Sequence, residues 1–406
     1  MSDDLGGWNG AEFVLAADRL DTPDVIEAAD PGDMLRQVAA AAAQVRTALR
    51  SCAETDLSAF SPEVRPRAIV VAGMGSSGVA GEILHAITGL SSPVQVVASQ
   101  ADRLPGWVGA ADAVVAVSCS GATPETLAIA SEAARRGCRL AAVGASGSPL
   151  HRIAEQARAP FIPVIPAGLA RSMLWALSIP LLVIAERFGV ARIGTEVYEL
   201  AATRLEEVSH QCRPASESFV NPGKSLALDL VGTLPMVWGT SLLSGVAARR
   251  FAGQLNENAK YPAIAGVLPE AAHGQVAAFD GPFAPSPSRL AAPATPPPAV
   301  TDDLSAWELD YDEEAERVGG FTPLKLVLVA DPDEDPRVGA QRAAVTELAE
   351  QRGIGLSELA MDGEHPLVRL AGVIQLTDYA SVYLAIASGI DPGQAVAIGD
   401  LKAGIE

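Results

Sequence analysis

The feature that most constrains this chain is an alternation of short, β-branched apolar runs with helical patterns. AIVVAG (68–73), VQVVAS (94–99), AVVAVS (113–118), LAAVGA (140–145) and FIPVI (161–165) are the first set of runs. Each reads as a strand candidate, and AVVAV (113–117) is a β-branched run of the kind a parallel sheet buries on both faces. Between them stand helical patterns such as GVAGEILHAIT and PETLAIASEAARRG. That rhythm predicts a parallel sheet flanked by helices. A second cycle follows after about residue 220, with strands at LPMVWG (234–239), LKLVLVA (324–330) and LSELA (356–360). Its helices are SGVAARRFAGQLNENA and the long HPLVRLAGVIQLTDYASVYLAIASG. The expected fold class is therefore α/β, with two similar doubly wound subdomains. We divide the chain into an N-terminal segment 1–30, a first domain 31–200 opened by an Ala-rich helix over 33–50, and a second domain 201–406. The second domain is interrupted at about 281–316 by a Pro-rich and then acidic stretch, expected to be a mobile insertion and, alternatively, a lid.

Twenty-nine basic residues stand against 49 acidic ones, a formal charge of −20. Such a surface disfavours nucleic acid and anionic membranes as partners, so an anionic ligand must be held by local donors. The four cysteines (Cys52, Cys119, Cys138 and Cys212) form no C-x-x-C pair and have no histidine at metal-ligand spacing, and read as reduced thiols. No metal site and no cofactor is expected. MSDDLGGWNGAEF lacks the basic and apolar regions of a signal peptide, and LWALSIPLLVIA (174–185) is too short to span a bilayer and reads as a core helix. The expectation is a cytoplasmic protein.

Two loops carry the chemistry. GMGSSG (73–78) follows a strand and opens a helix, which formally fits G-x-G-x-x-G. A dinucleotide fold would place an acid at the end of the next strand, yet that segment reads VQVVASQ. Backbone N–H groups at the helix start, with the hydroxyls of Ser76 and Ser77 behind Gly75, instead suit a single phosphate. SCSGATPET (118–126) closes the neighbouring strand. Thr123 suits an N-cap, Pro124 the first helical position and Glu125 the positive end of the helix dipole. Capping leaves Ser118 and Ser120 unexplained, whereas a second wall for the same phosphate explains both. A nucleophilic Cys119 or Ser120 is the rival reading, without G-x-S-x-G and without a nearby histidine.

These loops resemble the phosphate loops of sugar isomerase (SIS) domains, which usually read close to GMGGS and SYSGNTEET. VAARRFAGQLNENAKYPAIAGVLPEAAH (246–273) resembles the active-site segment of the bifunctional phosphoglucose/phosphomannose isomerases, and VYLAIASGIDPGQAVAIGDLK (382–402) resembles the end of that family. The resemblance implies two SIS-like subdomains and an aldose–ketose isomerase of hexose 6-phosphates that works through a cis-enediolate. It gives Gly75, Ser76, Ser77, Ser118, Ser120 and Thr123 as phosphate ligands and Glu257 as the proton-transfer base. It further gives His273 as the ring-opening residue, Arg171 as the group facing the enediolate, and Lys402 as an aid to ring opening. It also implies a homodimer in which His273 reaches the neighbouring subunit's site. Only four lysines occur (Lys224, Lys260, Lys325 and Lys402), and two of them fall in these motifs. The family's PELNHNE reads PEAAHGQ here, Ala170 replaces the usual proline before Arg171, and Gly393 and Gln394 stand where a Thr-Pro tied to acceptance of both C2 epimers is common. A non-catalytic sugar-phosphate-binding or regulatory protein is the alternative function.

Overall fold

The structure, a computed structural model, describes residues 10–90, 92–285 and 322–404. Its first sheet contains β1 (Ala68–Ala72), β2 (Gln95–Ser99), β3 (Ala113–Ser118), β4 (Arg139–Gly144) and β5 (Phe161–Pro163), in the order β2-β1-β3-β4-β5. All its pairings are parallel. The second contains β6 (Leu234–Gly239), β7 (Ile264–Val267), β8 (Leu324–Ala330) and β9 (Gly355–Ala360), in the order β7-β6-β8-β9, again all parallel. Every strand expected from the sequence is present, and β7 is an addition. The α/β class and the two-sheet architecture are as expected.

Side-chain alternation along the strands builds three layers of core. Val70, Val114 and Ala142 point to an outer layer with Ile129, Ala133, Leu150 and Ala154 of the helices Pro124–Arg135 and Pro149–Ala157. Ile69, Val71, Val115 and Val143 point the other way into a central core. Met236, Trp238, Leu326 and Leu328 face a second outer layer, while Val237, Val327 and Val329 face the same central core. Both sheets therefore share one interior. It is filled by the helices Leu174–Arg187, Thr195–Gln211, Pro222–Leu230, Leu242–Gln254 and Pro366–Ala387. The Pro366–Ala387 helix is long and apolar enough to cross a membrane by length and composition, but it is buried inside the protein. Leu174–Arg187, expected as a core helix, is also buried.

Several boundaries differ from expectation. The helix expected over 33–50 is two helices, Met34–Ala39 and Ala41–Glu54, because Ala40 closes a tight turn onto Gln37 and Val38. The Gln37 side chain holds the first piece there by accepting from Leu169 N and Ser172 Oγ. The division drawn at 200/201 falls within the helix Thr195–Gln211. Within the N-terminal segment, Ala16, Leu20 and Ile26 join the central core and Arg19 donates to Ala387 O. The stretch expected as an insertion lies outside the described residues from 286 onward. Its first residues belong to the second sheet's frame, since Leu324 N donates to Phe283 O at the start of β8.

Candidate active site

In a 2-1-3-4-5 sheet the chain leaves β1 toward opposite sides, so the crevice outside the carboxyl ends of β1 and β3 is the topological switch point where ligands bind. Both serine loops open into it. After β1, Gly75 takes φ +54° and ψ −127°, a conformation that side chains resist, and the helix Ser76–Thr88 starts immediately with buried Ser76 and Ser77. After β3, Ser118 is 1% exposed and its Oγ lies 2.8 Å from Thr123 Oγ1 and 3.5 Å from Ser120 Oγ. Ser120 is exposed, and its Oγ accepts from Ala122 N. Gly121 has φ +65°, and a Cβ there would stand 2.1 Å from Ser148 Oγ, so this turn requires glycine. Thr123 occupies the N-cap position of the Pro124–Arg135 helix, as expected, but makes no side-chain capping bond. Its hydroxyl turns to Ser118 instead. That leaves a cluster of three hydroxyls beside a helix N-terminus, the donor set an anion needs where bulk charge is unfavourable. Cys119 is buried, which pushes its thiol up, and no described histidine hydrogen-bonds Cys119 or Ser120, so the nucleophile reading gains nothing.

The second sheet has its own switch point between β6 and β8, and it is filled from within. Ser241 Oγ donates to Asp331 Oδ2 at 2.6 Å, Asp331 N donates to Thr240 Oγ1, and Arg369 Nε lies 3.4 Å from Asp331 Oδ1. A carboxylate stands where an anion would bind.

Arg171 sits on the turn Ala170–Ser172 beyond β5 and is 8% exposed. Its Nε donates to Asn258 Oδ1 at 2.7 Å, and its Nη2 donates to the carbonyls of Pro392 and Gly393. Burial pushes this guanidinium down from its ordinary value, opposed by the nearby Glu257 carboxylate. The helix expected through 259 ends at Gln254 and widens into a π-turn, Leu255–Ala259, closed by Lys260 at φ +57°. Such wide turns concentrate at functional sites. Asn258 points inward, fully buried, and its Nδ2 donates to Ser381 Oγ at 2.9 Å. Lys260 Nζ ties the turn down by donating to Glu257 O, Asn258 O and Asp391 O. Desolvation, and then Arg171, push the Lys260 ammonium below its ordinary value. Glu257 is half-buried. Its carboxylate makes no hydrogen bond to any described residue and lines a cavity of about 450 Å³ with Asn256, Lys260, Asp391, Gln394 and the start of the helix Val396–Ala403.

Hydrogen bonds through Arg250 and Asn258 link Ser76 of the first serine loop, Arg171 and the Glu257 turn, whereas no described hydrogen bond ties His273 to them. His273 is exposed and follows the turn Glu270–Ala272. Glu257 precedes β7 and His273 follows it in the chain, and His273 is not among the residues that line the Glu257 cavity. Lys402 lies in the helix Val396–Ala403, but its side chain is outside the described residues. Asn258 and Lys260 had a signal, since both sit in the NENAK motif. Asp391 and Arg250 also lie within the resembling segments 382–402 and 246–273, but nothing in the sequence singled them out there.

Residues 219–405 match the family described as the bacterial phospho-glucose isomerase C-terminal SIS domain. The chain is 26% identical over 335 residues to a bifunctional phosphoglucose/phosphomannose isomerase of Caldicellulosiruptor bescii, which spans 82% of this chain and 88% of that one. Among solved structures it is similar to a protein of Thermus thermophilus, with TM-score 0.63 and 15% identity over 97% of this chain and 94% of that one. It is also similar to the C-terminal domain of glucosamine-fructose-6-phosphate aminotransferase from Francisella tularensis, with TM-score 0.55 and 17% identity over 89% of this chain and 98% of that one. At these identities the structural likeness is one of fold. Two parallel sheets and a match over 219–405 to the bacterial phospho-glucose isomerase C-terminal SIS domain describe this α/β chain, which is a distant homologue of the bifunctional phosphoglucose/phosphomannose isomerases over most of its length.

Proposed function

We propose that the protein is a phosphosugar isomerase, and that it interconverts glucose 6-phosphate or mannose 6-phosphate with fructose 6-phosphate. The observation that carries this reading is the unpartnered Glu257 carboxylate, which lines a cavity beside a buried Arg171 anchored to the same turn through Asn258. Moving a proton between C2 and C1 needs a base with a free oxygen and a positive group facing the enediolate oxygens. Glu257 supplies the first and Arg171 the second. The phosphate is held by Gly75, Ser76, Ser77, Ser118, Ser120 and Thr123 at the β1/β3 crevice. No cofactor enters the reaction.

Ring opening falls to His273, aided by Lys402. That His273 does not line the Glu257 cavity supports a homodimer in which His273 serves the partner subunit's site. A non-catalytic phosphosugar-binding protein is the second reading. It is favoured by the exposure of His273 and the absence of any hydrogen bond from its ring to a described residue.

The test is conversion of hexose 6-phosphate in deuterated water. Wild type should place deuterium at C1 or C2. Glu257→Gln should lose kcat by about 10²–10⁴-fold, the usual contribution of a positioned acid–base group, with little change in ligand affinity. Mixing Glu257→Gln with His273→Ala subunits should restore part of the activity that each lacks alone. Binding without exchange would leave the second reading in place, and full activity in Glu257→Gln would remove the base.

A further inference from the structure

One buried side chain joins the phosphate loop to the catalytic turn. Arg250, on the helix Leu242–Gln254, is 3% exposed and donates to three segments. Its Nη1 donates to Ser76 Oγ at 2.9 Å and its Nη2 to Arg171 O at 2.5 Å. Nε and Nη2 grip both oxygens of Asp378 at 3.1 and 2.8 Å. Asp378 lies on the helix Pro366–Ala387, where Ser381 Oγ donates back to Asp378 O and accepts from Asn258, which in turn accepts from Arg171. The bonds close a ring through Arg250, Arg171, Asn258, Ser381 and Asp378. Ser76 hangs from it.

We propose that Arg250 is a positioning residue that couples phosphate capture at Ser76 to the placement of Arg171; this rests on the isomerase reading of the site. A serine hydroxyl carries a single proton, and a guanidinium has no acceptor to take it. With Arg250 donating into its oxygen, Ser76 must send that proton elsewhere, and no described residue accepts it. It is left for an oxygen of the ligand in the β1/β3 crevice. The same guanidinium fixes the backbone of the turn that carries Arg171. Asp378 alone would satisfy a packing role, yet the remaining donors go to two functional segments. The neighbouring Arg249 shows the contrast, since it pairs with Glu82 and is 42% exposed. Charge strength is not the device, because Arg250 and Asp378 form a pair without net charge. Geometry is, and lysine cannot reproduce it. One ammonium on a flexible stem cannot reach Asp378, Ser76 and the Arg171 carbonyl together, whereas a planar fork can.

The experiment compares full-length wild type, Arg250→Lys, Ser76→Ala and the double variant. It measures kcat and KM for hexose 6-phosphate and the rise in melting temperature on adding inorganic phosphate. Arg250→Lys keeps the charge facing Asp378 and should fold. It should raise KM and lower kcat, each about tenfold, since both the loop and the turn lose their anchor. Ser76→Ala should raise KM alone. In the double variant KM should be no worse than in Arg250→Lys, because the two changes remove one shared interaction. If Arg250→Lys does not fold, Arg250→Met combined with Asp378→Leu removes both charges at similar volume and should show the same losses. Wild-type KM and kcat in the folded variant, or fully multiplicative effects on KM, would overturn the coupling. Should wild type convert no hexose 6-phosphate, the isomerase reading fails on its own. The phosphate-induced melting shift still decides on Arg250, which stands if Arg250→Lys diminishes the shift and falls if the shift is unchanged.

Discussion

Asn258 offers the most direct way to ask whether Arg171 is held by the Glu257 turn or merely lies beside it. Its side chain is fully buried, its Oδ1 accepts from Arg171 Nε at 2.7 Å, and its Nδ2 donates to Ser381 Oγ at 2.9 Å. Asn258→Ala removes one bond to a charged group, worth about 1.5–3 kcal/mol, and one neutral bond, worth about 0.5–1.5 kcal/mol. Ser381 still donates to Asp378 O, so its own proton stays satisfied and only its acceptor role is lost. Arg171 Nε is left facing nothing. The expected destabilisation is about 2–4 kcal/mol, readable in thermal or urea unfolding. Arg171 would not leave the site, because its Nη2 remains on Pro392 O and Gly393 O. It would swing about that end, and a displacement of about 1 Å at a catalytic charge can cost about 10²-fold in rate. Steady-state assays should therefore show a large fall in kcat with KM little changed, since the serine loops are untouched. Asn258→Asp restores an acceptor for Nε and should recover much of kcat while still lacking the donor to Ser381. A fully active, fully stable Asn258→Ala would refute the view that this contact positions Arg171.

Two further outcomes follow from the geometry. Ser118→Ala and Ser120→Ala should each raise KM for phosphosugar by roughly one to two orders of magnitude, as expected for a bond of about 1.5–3 kcal/mol to a charged group, with stability barely altered at the exposed Ser120; an unchanged KM in both would take the phosphate away from this loop. Asp112 concerns acid stability. Burial pushes its carboxyl up, but the Arg67 guanidinium and the Gly109 N–H outweigh that and hold it below the usual carboxylate range. A carboxyl lowered on folding adds stability above its unfolded value of about 3.9, and that stability drains away as pH falls through the lower folded value. Asp112→Asn should therefore melt below wild type at pH 7 and approach it below about pH 4, and a gap that stays constant into strong acid would contradict the assignment.

What the sequence made legible is what local pattern controls. β1, β3, β6 and β8 are short, mainly apolar runs buried along most of their length, and such runs announce themselves without a partner in view. β7 does not, because IAGV is a short edge strand, half-exposed, with Ala and Gly where a buried strand carries β-branched bulk. The π-turn at Leu255–Ala259 was invisible for a different reason. LNENA continues a helical pattern, and what widens it is a set of distant contacts with Arg171, Ser381 and Asp391. Arg249 and Arg250 show the limit most clearly. They are identical neighbours in the sequence, yet one reaches Glu82 at the surface and the other is sealed between Ser76 and Asp378, which are far from it along the chain. Of the residues assigned from the resemblance, Arg171 is bonded to the Glu257 turn through Asn258, while His273 makes no described hydrogen bond to either.

The two sheets explain why one crevice is left open for an anion and the other is closed. Both follow a strand with a short loop and a helix N-terminus, and both present hydroxyls there: Ser76 and Ser77 after β1, Thr240 and Ser241 after β6. The neighbouring strand makes the difference. Pairing sets Ala72 against Ala116 in the first sheet and Trp238 against Leu328 in the second, which puts Ala330 where β3 has Ser118 and Asp331 where it has Cys119. In the first sheet that strand end contributes hydroxyls and a tight glycine turn, and no described carboxylate accepts from Ser118, Ser120 or Thr123. In the second it contributes a buried carboxylate, which takes Ser241's proton and draws in Arg369. A helix N-terminus with free hydroxyls favours an anion, and the second sheet meets that preference with its own side chain. One fold unit, used twice, therefore leaves its crevice without a buried carboxylate in the first sheet and fills it with Asp331 in the second.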